Sequence, residues 1–165
     1  MTGFGAGVFM YVGLLALTMA RHFLGAPVEG KMTPTLWVHL APLSVIPLSM
    51  LALLKTTGDA SLLRYGSLVA AAFLGAALWW LVLAVSMTIR NRRQGKLPFA
   101  LSWWAFVFPI GACSVLAYRV SELLALEVLP LVASGLTLLA LFVWSAAALG
   151  TVRGIRTGAI FAPAL

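Results

Sequence analysis

Charged side chains divide the sequence into five long uncharged stretches, residues 1–20, 32–54, 65–89, 97–118 and 128–152, of 20, 23, 25, 22 and 25 residues. About 20 apolar residues in helical form cross a hydrocarbon core of about 30 Å, so each stretch is long enough to span. Membrane-spanning strands would instead appear as segments of about ten residues with alternating polarity. Runs such as Leu68-Val69-Ala70-Ala71-Ala72-Phe73-Leu74 do not alternate. The pattern predicts an all-α integral membrane protein with five transmembrane helices near residues 3–24, 33–54, 63–89, 98–118 and 127–150. They form a single transmembrane domain over 1–165.

Composition agrees. The 165 residues are 62% hydrophobic and 9% charged, and mean hydropathy is +1.06. A soluble domain carries roughly 25% charged residues, so too little polar surface is present here to face water all round. Fifteen glycines and eight prolines do not signal disorder, because both are tolerated in bilayer helices. The single Cys113 permits neither an intrachain disulfide nor a cysteine metal cluster, and reads as small apolar packing.

The eleven basic residues set the expected orientation. Five spans place Arg21, Lys31, Arg90, Arg92, Arg93, Lys96, Arg153 and Arg156 on one face and Lys55, Arg64 and Arg119 on the other. Basic residues in short loops are retained in the cytoplasm. The expectation is a multi-pass protein of the cell (inner) membrane with its N-terminus outside and its C-terminus cytoplasmic. No Lys or Arg precedes the first apolar stretch, so it reads as a retained span rather than a secretory signal. An N-out start on Met1-Thr2-Gly3 points to further helices upstream. The basic run Arg90-Asn91-Arg92-Arg93-Gln94-Gly95-Lys96 reads as a loop that fixes topology and attracts anionic headgroups, not nucleic acid. Trp37, Trp103 and Trp104 fall near span ends, where indoles anchor at the interface.

Proline separates the spans. Pro42 and Pro47 lie in the second and Pro109 in the fourth, whereas the first and third have none and Pro130 stands at the start of the fifth. An interior proline removes a backbone hydrogen bond and bends the helix, freeing carbonyls that need protein or water partners. The second and fourth spans are therefore expected to face inward, either packed against neighbours or lining a water-filled path. By helical spacing Pro42, Val45 and Ser49 share a face, as do Ala105, Phe108, Ala112 and Val115.

Candidate chemistry is sparse. No span carries Asp, Glu, Lys or Arg near its middle, which disfavours a fixed-charge proton relay. Glu122, three residues after Arg119, reads as an exposed ion pair of small value. His22 and His39 fall near the same membrane face, with no third candidate ligand beside them. There is no phosphate loop, no HExxH and no nucleophile elbow, so nothing argues for an enzyme, a metal site or a cofactor.

The segment Leu101-Ser102-Trp103-Trp104-Ala105-Phe106-Val107-Phe108-Pro109-Ile110-Gly111-Ala112 resembles the penultimate helix of the tellurite-resistance/dicarboxylate transporter family. That family includes fungal malate and sulfite transporters and the slow anion channels of plant guard cells. Leu40-Ala41-Pro42, Gly3-Phe4-Gly5-Ala6-Gly7 and Arg21-His22-Phe23 extend the resemblance in the correct order. It implies helices six to ten of a ten-helix bundle built of helical hairpins around a central pore, with the second and fourth spans as inner helices seven and nine. It also implies a phenylalanine gate at Phe108 and pore-lining positions at Pro42, Val45, Ser49, Ala105, Pro109 and Ala112. On residue chemistry alone Phe108 would be helix packing. The expected cargo is a small anion such as a C4-dicarboxylate, sulfite, tellurite or a halide, and a homotrimer is expected by resemblance.

Length is where the sequence departs from the family. Two inner helices do not enclose a pore that takes five, so the sequence is expected to be a truncated or split reading frame or, less readily, to have its missing N-terminal half supplied by a second polypeptide or by self-association. A proton-coupled mode stays open, since the missing half could hold the carboxylate. The competing expectation is a membrane anchor or haem-binding subunit of a redox complex using His22 and His39.

Overall fold

The structure is a computed structural model, and it describes residues 2–25 and 33–158, without the side chains of Thr2 and Phe23. Lys31, one of the orientation residues, lies outside the described residues. The described chain is helical: α1 (Thr2–Leu24), α2 (Thr33–Val38), α3 (Leu40–Lys55), α4 (Ala60–Arg93), a 3-10 segment (Leu101–Phe106), α5 (Val107–Leu124) and α6 (Leu129–Thr157). They make five candidate spans, with α2 and α3 together forming the second, and the 3-10 segment and α5 together forming the fourth.

The two interrupted spans break at matching places. A proline ring clashes with the carbonyl four residues earlier. Pro42 therefore acts at Val38, where α2 ends and a turn at His39 leads into α3. Pro109 acts at Ala105, inside the 3-10 segment that precedes α5. Each proline thus sits in the first turn of the longer helix, where its missing N–H is cheapest. Pro47 alone is interior, and α3 runs through it.

Connections follow ordinary capping chemistry. Asp59 opens α4, accepting from the Ser61 and Leu62 backbone N–H groups at 2.8 and 3.2 Å. Pro130 falls in the first turn of α6. α5 ends on Ala125, whose φ of 52° is the left-handed conformation usually given to glycine. Arg90, Arg92 and Arg93 do not form a loop as the charge pattern implied; they occupy the last turn of α4, where cations oppose the negative end of the helix dipole.

Packing centres on α3 and α5, which contact each other and are backed by α4 and α6. Leu40, Ile110, Cys113, Leu116 and Val120 are fully buried between them. Gly66 of α4 admits the side chain of Leu54 at a spot where a Cβ would collide with it. Polar pairs fasten α5 to α6: Ser114 Oγ donates to the Ala133 carbonyl at 2.8 Å and lies 2.8 Å from Thr137 Oγ1, and Tyr118 Oη lies 2.9 Å from Ser134 Oγ. The helix α1 is the outlier, with Phe9, Met10, Leu14 and Leu17 all exposed.

Candidate functional site

The site is built from the two interrupted spans and the straight helix that secures them. α2 lies along the final turns of α4 and is held there by three side-chain bonds. Asn91 Nδ2 donates to Thr33 Oγ1 at 2.6 Å, Trp37 Nε1 to Thr88 Oγ1 at 3.0 Å, and Trp80 Nε1 to the Leu36 carbonyl at 2.7 Å. On the other side of the break the Tyr11 hydroxyl of α1 donates to the His39 carbonyl at 3.2 Å. The Leu36 and His39 carbonyls flank the interruption, and both find side-chain donors. That is the condition for irregular backbone at membrane depth.

The 3-10 segment is secured at the same end of the bundle. Trp104 Nε1 donates to Thr151 Oγ1 of α6 at 3.1 Å, and Trp103 Nε1 to the Pro98 carbonyl at 3.2 Å. Phe106 meets Trp37 edge-on at 5.2 Å between ring centres, which joins the two short segments, and packs within its own segment on Trp103 at 5.9 Å. Trp37 is buried, so it serves this contact rather than anchoring at a headgroup boundary; Trp104 is exposed.

The sequence-predicted pore residues, with Val115 on the face of Phe108, separate into three groups by exposure. Phe108 is 65% exposed, Val115 49% and Val45 37%. Pro42, Ser49, Ala105 and Ala112 are half-buried. Pro109 is buried, so its ring faces the packing and its effect on the site is the bend beside Phe108. Ser44, next to Val45, returns its hydroxyl to the Leu40 carbonyl at 2.9 Å and lies beside Cys113 of α5. α3 and α5 thus touch along Ser44 and Cys113. None of the sequence-predicted positions is ionisable; Ser49 alone among them supplies a hydroxyl.

His22 and His39 meet the same indole. Their rings lie 5.7 and 5.1 Å from Trp80, both in edge geometry, and His22 Nδ1 is 2.9 Å from the Thr18 carbonyl. Among the described residues no group of three or more His, Cys, Asp or Glu is placed to hold a metal ion. Sequence reasoning missed Trp80, Thr88 and Asn91. Asn91 was hidden by the four cations around it, and only burial separates it from them.

The family model described as voltage-dependent anion channel matches residues 1–152. Two similar proteins of Methanocaldococcus jannaschii, "Uncharacterized transporter MJ0576" and "Uncharacterized transporter MJ0762", are 31% and 30% identical over 159 residues. Each alignment covers 96% of this chain and 46% of the relative, so the chain spans about half the length of the curated relatives it matches. No solved structure matches it. The protein is a multi-pass membrane protein, and it belongs to the voltage-dependent anion channel family.

Proposed function

We propose that this chain is the C-terminal half of a channel or transporter for small anions, with Phe108 as the gate of its pore. The chain supplies two inner helices, α3 and α5, and an upstream half or a second polypeptide supplies the rest of the wall. Val45, Ser49, Ala105 and Ala112 line the path with Pro42, and Pro109 sets the bend that aims Phe108. An aromatic ring in a narrow apolar tube excludes water and ions until it rotates or its helix shifts.

The observation that carries this reading is Phe108 itself. A large aromatic side chain stands 65% exposed directly before a proline-bent helix start, on a strip otherwise made of Ala105, Ala112 and Val115, in a chain of the anion channel family. No lining residue in this half is charged, so selectivity rests on width, dehydration cost and the surrounding field. Arg90, Arg92, Arg93, Lys96, Arg153 and Arg156 would supply that positive field at a cytoplasmic mouth, an effect that salt screens. C4-dicarboxylate, sulfite, tellurite and halide are the cargo classes to test, and a trimer is the assembly to test.

The test is anion efflux from proteoliposomes holding the longest polypeptide that contains this chain. Phe108→Ala is expected to raise the flux about tenfold or more, the equivalent of lowering the barrier by ~1.4 kcal/mol. A correctly folded variant with unchanged flux removes the gate from Phe108.

A further inference from the structure

A cleft of about 390 Å³ opens between α4 and α6, above the 3-10 segment. Its volume is in the range of roughly 300–1,000 Å³ that holds small-molecule ligands. Val85 and Ile89 of α4 face Phe142 and Val143 of α6 across it, and Phe106 forms part of its floor. The residues that line it run from 85 to 92 on α4 and from 139 to 146 on α6, about 10 Å along each helix at 1.5 Å per residue. It is therefore a groove parallel to the helices, not a round pocket. Phe108 and Val45 take no part in it.

The polar groups of the lining are nearly all spent. Trp37 Nε1 donates to Thr88 Oγ1, which itself donates to the Ala84 carbonyl at 2.7 Å. Trp103 Nε1 is bonded to Pro98. Arg92, in the last turn of α4, is the one cation in the lining, and its side chain is exposed. Arg90, Arg93 and Lys96 are exposed beside it. Among the described residues the acids Asp59, Glu122 and Glu127 stand at the other ends of α4, α5 and α6, so no described carboxylate neutralises this cluster.

The geometry points to a binding site for one anionic phospholipid, with an acyl chain lying in the groove and the headgroup phosphate held by Arg92. An apolar groove aligned with the bilayer normal and ending in a cluster of exposed cations at headgroup depth has the two-part chemistry of such a lipid. A soluble anion would leave the groove unused. A zwitterionic lipid would leave the cluster without a net partner. The groove shares no lining residue with the proposed anion path and the inference does not rest on that path, although Arg92 also belongs to the positive field proposed at its mouth.

The experiment is native mass spectrometry of the longest polypeptide that contains this chain, released from vesicles of equal phosphatidylcholine and phosphatidylglycerol. The protein should retain phosphatidylglycerol in preference, and Arg92→Gln should cut that preference about fivefold, as expected for one basic residue at the surface. Arg93→Gln, which removes the same charge outside the groove, should leave most of it. Ala146→Phe, which fills the groove, should abolish retention of both lipids while leaving the circular-dichroism melting profile intact. Equal losses from Arg92→Gln and Arg93→Gln would reduce the effect to general surface charge and overturn the site. Retention unaffected by Ala146→Phe, or a change in oligomer size in place of lipid loss, would overturn it as well. If Ala146→Phe does not fold, Val143→Trp is the second groove-filling variant, read by the same criteria.

Discussion

The straight spans and the interrupted ones differ in what their backbones require. α4 runs unbroken for 34 residues and α6 for 29, so their interior peptide groups are satisfied within the helix. The second and fourth spans break near Val38 and Ala105, four residues before a proline, and carry carbonyls that need outside donors. α4 provides them. Trp80, Thr88 and Asn91 are spaced along one side of it and bond to Leu36, Trp37 and Thr33 in turn. In this fold the regular helices work as a scaffold, and irregular backbone is confined to the elements they brace.

Removing the brace should cost most where burial and hydrogen bonding coincide. Trp80 is 2% exposed and holds the Leu36 carbonyl. Trp80→Ala should destabilise the fold by about 3–5 kcal/mol through cavity formation and the orphaned carbonyl. Thermal unfolding in detergent measures it. A cost under about 1 kcal/mol would mean that the break needs no brace from α4. Asn91→Ala comes next, at about 1–3 kcal/mol, since it leaves buried Thr33 without its donor. Its readout is hydrogen exchange in α2, which should rise while exchange in the middle of α6 stays unchanged. Ser114→Ala tests the other side of the comparison: it loosens α5 from α6, where the helices are regular. The expected loss is about 0.6 kcal/mol, the average for an interhelical hydrogen bond in a membrane protein. If Ser114→Ala proves costlier than Asn91→Ala, the contrast between braced and self-sufficient spans fails.

Much of this contrast was legible in the residues, though not all of it. Uncharged length marked the spans, because a bilayer imposes one thickness on every helix. The prolines marked the second and fourth as different, because a missing N–H cannot be hidden in lipid. What hydropathy did not resolve is the partner. Trp37 has the same sequence setting as an interfacial indole, and only its contacts with Thr88 and Phe106 show that it is buried. Asn91 reads as part of a basic loop because three arginines and a lysine surround it, yet α4 continues through it and turns it inward. The resemblance puts Pro109 on the path beside its neighbours, but a bent helix start turns adjacent residues to different sides, so Phe108 is exposed while Pro109 is buried.

The central claim is that the exposed strip of α3 and α5 faces water in the assembled protein. The most direct measurement is cysteine accessibility in vesicles, using the longest polypeptide that contains this chain with its buried Cys113 kept as background. Val45→Cys and Val115→Cys should react with a negatively charged, membrane-impermeant thiol reagent, and Phe108→Ala should speed that reaction at the position beyond the gate. Leu131→Cys and Leu138→Cys, exposed on α6, should stay unreactive in lipid. Labelling of the α6 positions but not of Val45 and Val115 would contradict the account.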